Sequence, residues 1–211
     1  MIDHIEDLER SLPDAEGTSP TPASKNLFGV DPQSKKLNKD EQELFHSCVA
    51  KALFIAKRAR PDIGMPVSVL SSRVVEPNQS DQEKLVRVVK YLRGTKFLPL
   101  TLGINNLSVV KWAVDASYAT HSDFKSHTGG CMTWGRGCPV SLSSKQKINS
   151  RSSTESELIA VDDCMDKVLW TRLFLKSQGI DINPPWSNRI MKALSGWRIM
   201  AGGRPESGRR R

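Results

Sequence analysis

Asp115 closes an apolar run, Val109-Val110-Lys111-Trp112-Ala113-Val114-Asp115. Glu157 falls in Ser152-Ser153-Thr154-Glu155-Ser156-Glu157-Leu158-Ile159-Ala160, which reads as the first turn of a long amphipathic helix. One carboxylate at a strand end and one at a helix start is an arrangement suited to hard divalent cations such as Mg²⁺, which take oxygen ligands. Two such ions about 3.5–4 Å apart activate water and stabilise the leaving oxygen in phosphodiester hydrolysis. Each residue also has a plain structural reading. Asp115 could cap a turn at Ser117 or Tyr118, and Glu157 could be the return partner of Thr154 in a capping box. Asp162-Asp163 does not repeat the motif of a polymerase site, because it sits in mid-helix and not in a hairpin.

The elements that must position the two carboxylates follow from periodicity. Phe45, Cys48, Val49, Ala52, Leu53 and Ala56 form one apolar stripe, a helix closing on Lys57, Arg58 and Arg60 before Pro61. A short helix follows to about Arg73. Ser80 and Glu83 read as a capping box ahead of Leu85, Val88, Val89 and Leu92, with a stop at Gly94. Residues 98–104 suit an edge strand. Residues 109–114 are nearly all apolar, as in a strand buried on both faces. Residues 129–134 and 140–144 are two more strands around the turn Gly135-Arg136-Gly137. The last helix places Leu158, Val161, Met165, Val168 and Leu169 on one side and ends at Gly179. Three antiparallel strands followed by a helix form half of an α/β layer fold, with a sheet face and edge left open.

The chain has 211 residues, 38% hydrophobic and 26% charged, with a net charge of +8. That balance suits a folded chain and a polyanionic partner, although Arg189, Lys192, Arg198, Arg204 and Arg209 to Arg211 concentrate the excess near the end. Residues 1–39, with Pro13, Pro20, Pro22 and Pro32 among polar side chains, read as a disordered arm or linker. Cys48, Cys131, Cys138 and Cys164 lack paired zinc spacing and read as reduced core residues. No leader and no apolar run of about 18 residues is visible, so the expectation is a cytoplasmic or nuclear protein without a membrane partner. Trp112 and Trp134 read as sheet packing. Lys90, Arg93 and Lys96 line one helix end and could meet phosphates, though a solvated helix face is the simpler reading.

Six segments in order resemble the polymerase polyprotein of Copia-type LTR retrotransposons. Ala59-Arg60-Pro61-Asp62-Ile63 is similar to that family's R-P-D-I segment, and Lys90-Tyr91-Leu92-Arg93-Gly94-Thr95 to its R-Y-L-K-G-T. Asp115-Ala116-Ser117-Tyr118-Ala119, Ser126-His127-Thr128-Gly129-Gly130, Ser143-Ser144-Lys145-Gln146-Lys147 and residues 152–160 follow. The resemblance covers about 27–179. It implies a helical reverse transcriptase thumb or connection segment over 40–96. A truncated ribonuclease H-like mixed sheet with one long helix then spans 97–180, giving an α/β, α+β-like half fold. It further implies cleavage of RNA in RNA–DNA hybrids with Mg²⁺ or Mn²⁺. Asp115 stands as the first metal ligand and Glu157 as the second, with Glu155 in reserve. Lys90, Arg93, Lys145 and Lys147 would contact nucleic acid.

The chain departs from the family after Gly179. An apolar strand and then Asp-Asn, the third ligand, are expected there, with a fourth acidic position later. Instead the chain reads Pro184-Pro185-Trp186-Ser187-Asn188-Arg189-Ile190-Met191-Lys192-Ala193, and from Ile182 to Arg211 the sole acidic residue is Glu206. The expected cause is a reading-frame shift near Pro185, which makes 181–211 an aberrant basic tail. An Arg189 codon ending in G, followed by ATA, ATG, AAA and GC-, would read in the neighbouring frame as Asp-Asn-Glu-Ser, and other codons at Arg189 and Ile190 would end this idea. With one or two ligands the expectation is an inactive fragment of a reverse transcriptase/ribonuclease H. The alternatives are a nucleic-acid-binding remnant without catalysis, or an enzyme completed by a partner chain.

Overall fold

A computed structural model describes residues 1–182. Helix α2 (Lys39–Arg58) begins at Asn38, whose side chain accepts from the Glu41 amide while Glu41 accepts from the Asn38 amide. That reciprocal pair satisfies two orphan amides, and Lys57 and Arg58 complement the other end. Ile55, not the expected Leu53, completes its buried stripe, and Leu53 stays partly exposed. A 3₁₀ turn (Pro61–Ile63) leads into α3 (Gly64–Ser71). Helix α4 (Gln79–Gly94) starts at a reciprocal Asn78–Asp81 box and not at Ser80–Glu83, because Asn78 is the residue with extended backbone at the helix entry. Its Leu85, Val88, Val89 and Leu92 are buried as the spacing predicts.

Residues 1–39 differ from the expected arm. Ile2–Ser11 form α1, and Ile5, Leu8, Leu12 and Ala15 are buried in the core shared with α2 and α4. Ile5 and Leu8 lie about one turn apart on α1, and Leu12 and Ala15 continue the apolar spacing beyond its end. The polar, proline-rich remainder of the segment masks that spacing when composition is averaged over all 39 positions. Leu27 and Leu37 are buried farther along.

The second half is a sheet under one helix. Strands β2 (Lys111–Ser117), β3 (His127–Thr133) and β5 (Val140–Lys145) pair antiparallel in the order β2-β3-β5. The expected strand over 98–104 shrinks to β1 (Gly103–Ile104), which pairs with β4 (Gly135–Arg136) inside the link between β3 and β5. Helix α5 (Ser153–Ser177) packs on β2 and β3. Its cap is Ser152, whose hydroxyl accepts from the Glu155 amide, while Glu155 accepts from the Arg151 amide at 2.6 Å. The expected Thr154–Glu157 box is therefore displaced by two residues.

Strand β2 is not buried on both faces. Trp112 and Val114 are inside with Ala160, Val161, Cys164 and Val168, whereas Lys111, Ala113 and Asp115 are exposed. The alternation arises because α5 covers one face alone. The face of α5 that packs is also richer in small side chains than expected. Ala160, Cys164 and Thr171 are inside, while Leu158 and Met165 are half-buried and Leu169 is exposed. Small residues let the helix sit close: a Cβ on Gly130 would lie 2.9 Å from the Cys164 sulfur.

The helices with small antiparallel sheets make the mixed α/β arrangement expected, consistent with an α+β ribonuclease H-like fold. All four cysteines are free thiols. No described helix is long and apolar enough to cross a membrane. The tail from residue 183, and with it the frame-shift reading, lies outside the described residues.

Candidate functional site

Asp115 is the fifth residue of β2, opposite Gly129 of β3. It lines a groove of about 520 Å³ between the sheet and the α2–α3 layer, across which the Lys57 ammonium donates to the Ser141 carbonyl at 3.3 Å. Glu157 is half-buried near the start of α5. That start is fixed by Gln146, a fully buried side chain whose amide nitrogen donates to the Ser156 carbonyl at 2.9 Å and to the Thr128 hydroxyl at 3.1 Å. Thr128 pairs with Ala116, so the beginning of α5 overlies the end of β2 that carries Asp115. Strand alternation turns Asp115 to the groove face, and α5 packs on the opposite face.

Glu155, the reserve ligand, is engaged as the cap of α5. Among the described residues no group of three or more His, Cys, Asp or Glu side chains is arranged to hold a metal ion. Two-metal chemistry needs shared carboxylates around both ions, and the donor set described here does not fit it.

The cations expected at phosphates are placed variously. Arg93 donates to the Ala15 carbonyl and lies 3.6 Å from the Glu9 carboxylate, and Lys96 lies 3.2 Å from Glu6. Both therefore fasten α1 to α4. Lys90 is half-buried, with its carbonyl accepting from the Ser19 amide. Lys145 lies 2.8 Å from Asp123, and Lys147 is exposed in the loop before α5. Among the described residues lining the groove, Lys57 and Asp115 are the charged ones. Its volume suits a small ligand, and one cation is few for the phosphates of a duplex.

Three side-chain clusters escaped the sequence reading. Arg60, 3% exposed, donates to Asp62 and to the carbonyl and hydroxyl of Thr95, while Tyr91 donates to Asp62 at 2.8 Å. Burial pushes the Asp62 carboxyl up, but the hydrogen bonds from Arg60 and Tyr91 outweigh it and hold the group below its ordinary range. Thr128 donates to Asp163 at 2.7 Å, joining the Gln146 contacts in one buried network. On the groove side His127 bridges His121 at 3.1 Å and Ser143 at 2.8 Å, and the Phe28 ring meets both imidazoles edge-on. Burial, then the neighbouring His121, lowers His127 to about 4. Burial also raises the Cys131 thiol to about 12, with a hydrogen bond from Cys138 adding to it. The residues of the first two clusters, Asp163 excepted, lie in the segments quoted for the resemblance. Their partners are distant in sequence, and no local spacing signals them.

Known proteins resemble this chain in sequence. The Ty5-1 transposon protein of Saccharomyces cerevisiae is 33% identical over 126 residues, covering 59% of this chain and 41% of that protein. The retrovirus-related Pol polyprotein from transposon TNT 1-94 of Nicotiana tabacum is 31% identical over 137 residues, covering 64% of this chain and 10% of the polyprotein. The chain is similar to retrotransposon Pol polyproteins. An uncharacterized mitochondrial protein of Arabidopsis thaliana is 34% identical over 129 residues, 60% of this chain and 53% of that one. The chain thus spans about half or less of each of these relatives. No protein-family model matches it, and no solved structure does.

Proposed function

We propose that this chain is a piece of a Copia-type Pol polyprotein joining the end of the reverse transcriptase region to the first part of the ribonuclease H domain. The supporting observation is the agreement of motif order with architecture. The Arg60-Pro61-Asp62 and Tyr91–Thr95 segments close one helical layer. The Thr128, Gln146 and Ser156 segments then seat α5 on an antiparallel sheet. Asp115 and Glu157 belong to the strand and helix so joined. In this reading the parental activity is cleavage of RNA in RNA–DNA hybrids, with Mg²⁺ or Mn²⁺ supplying the water activation. This chain alone does not cleave, because the carboxylates it offers are too few to hold the ions.

The experiment is incubation of the purified full chain with a labelled RNA–DNA hybrid in Mg²⁺ and in Mn²⁺. The expected result is intact RNA. Robust divalent-dependent cleavage that disappears in Asp115→Asn would overturn the inactivity. Salt-dependent hybrid binding without cleavage would identify a nucleic-acid-binding remnant instead. Cleavage rising steeply with protein concentration would point to an enzyme completed by a partner chain.

A further inference from the structure

The outer face of α5 carries a cluster of exposed apolar side chains on regular helix. Leu169, Trp170, Leu173 and Phe174 are 48%, 63%, 66% and 48% exposed, side by side in two turns. The indole and phenyl rings of Trp170 and Phe174 stack at 5.1 Å, which makes a flat apolar plate. Single exposed apolar residues are ordinary on a protein surface, but a contiguous cluster on one helix face marks a contact surface.

The charges around this plate say what covers it. Residues 162, 166, 169, 173 and 176 recur at three- and four-residue spacing, so they form one stripe down the exposed side of the helix. From N- to C-terminus that stripe reads Asp162, Asp166, Leu169, Leu173, Lys176, with Arg172 on its flank, and every one of these residues is exposed. Acid precedes apolar, and apolar precedes base. A helix of this pattern complements a reversed copy of itself. With Leu169 of the two copies facing across a two-fold axis, Asp162 of each lies opposite Lys176 of the other. A parallel alignment would set acid against acid and base against base.

We propose that α5 pairs antiparallel with α5 of a second copy of this chain, with Leu169 at the two-fold axis, Trp170, Leu173 and Phe174 flanking it from each copy, and the Asp162–Lys176 pairs at both ends. A symmetric contact of this kind uses one patch twice. The helix is about 37 Å long at 1.5 Å per residue, which accommodates both charged ends. Four half-exposed side chains give roughly 300 Å² of apolar area per copy, below the roughly 800 Å² per partner of a standard interface. The dimer is accordingly a weak, reversible one. Asp166 lies 3.6 Å from Lys167 on its own helix, and both side chains are more than half exposed, so that contact exchanges readily for one across the interface.

The test is sedimentation equilibrium of the full chain across protein concentration. The weight-average mass should rise from one chain toward two over roughly the micromolar range, as expected for an interface of this size. Asp162→Lys alone and Lys176→Glu alone should each weaken association about tenfold or more, since each places like charges face to face at both ends. Mixing the two variants should restore dimer, because the mixed pair regains both opposite-charge contacts. These positions are exposed, so circular dichroism melts should match the parent and confirm folding. A monomer at every concentration overturns the proposal, whether the plate is then covered by the chain's own C-terminal segment or by a different protein. A dimer indifferent to both substitutions, or not rescued by mixing them, overturns it equally.

Discussion

Arg60 donates to the carbonyl oxygen of Thr95 at 2.9 Å and to its hydroxyl at 2.6 Å, thirty-five positions apart in the chain. The same guanidinium grips Asp62, and it lies over the Tyr91 ring at 5.3 Å from the centroid. One buried side chain therefore ties the end of α2 and the following turn to the C-terminus of α4. Replacing Arg60 by Ala leaves Asp62 without its cation and the Thr95 carbonyl without its donor. The expected loss is about 3–5 kcal/mol, in line with breaking one partner of a buried pair. Arg60→Lys recovers little of it, since an ammonium cannot supply the planar fork. Urea unfolding at neutral pH reads both values.

The contact between α5 and the sheet makes a second prediction. A Cβ at position 130 meets the Cys164 sulfur at 2.9 Å and Leu142 carbons at 3.3 Å. Gly130→Ala should cost about 1–3 kcal/mol by overpacking. Adding Cys164→Ala removes the nearest atom, so the double variant should be more stable than the sum of the single losses predicts. Simple additivity in a double-mutant cycle would mean that the clash lies elsewhere.

The buried imidazoles make stability depend on acid. His127 has a folded pKa of about 4, against about 6.5 in an unfolded chain. The depressed value means that the unfolded state takes up the proton first as pH falls. Stability is whole above pH 6.5 and declines between about 6.5 and 4, by on the order of 3 kcal/mol, with no further loss from this group below that. His121 is shifted in the same direction, by burial and then by the charge of Lys145. Denaturant midpoints measured from pH 7.5 to 4 should show this slope, and His127→Gln should flatten it.

Divalent ions should leave the fold indifferent. A ligand that binds the native state raises its melting temperature, and the described residues offer no metal cluster. Millimolar Mg²⁺ or its removal with a chelator should therefore shift the thermal midpoint by less than the scatter of the measurement. A rise that disappears in Asp115→Asn would show that the carboxylates hold an ion after all.

The helices and the three principal strands were legible because each carries a repeating apolar pattern or a turn residue, as with Leu85–Leu92 before Gly94. Local averaging hid α1: Ile5 and Leu8 stand one turn apart, but polar and proline-rich neighbours dominate the composition. The caps were misplaced by two residues at both α4 and α5, where several adjacent Ser, Thr and Asn side chains compete and backbone angles at the entry decide. Strand β2 misled for another reason. Apolar content says that a segment is buried, but whether one face or both are covered depends on what packs there. The candidate carboxylates were visible as residue types on adjoining elements. The Arg60 and Gln146 clusters were not, since their partners are brought together only by the fold.

Strand β2, at one rim of its sheet, offers main-chain groups that another extended segment can occupy. During synthesis that rim and the apolar side bearing Trp112 are made before residues 153–177, which cover them. The nascent polypeptide thus faces a race between docking of its late helix and capture by neighbouring chains. Lys111 and Asp115 are exposed charges on that rim strand, a placement of the kind that disfavours such capture.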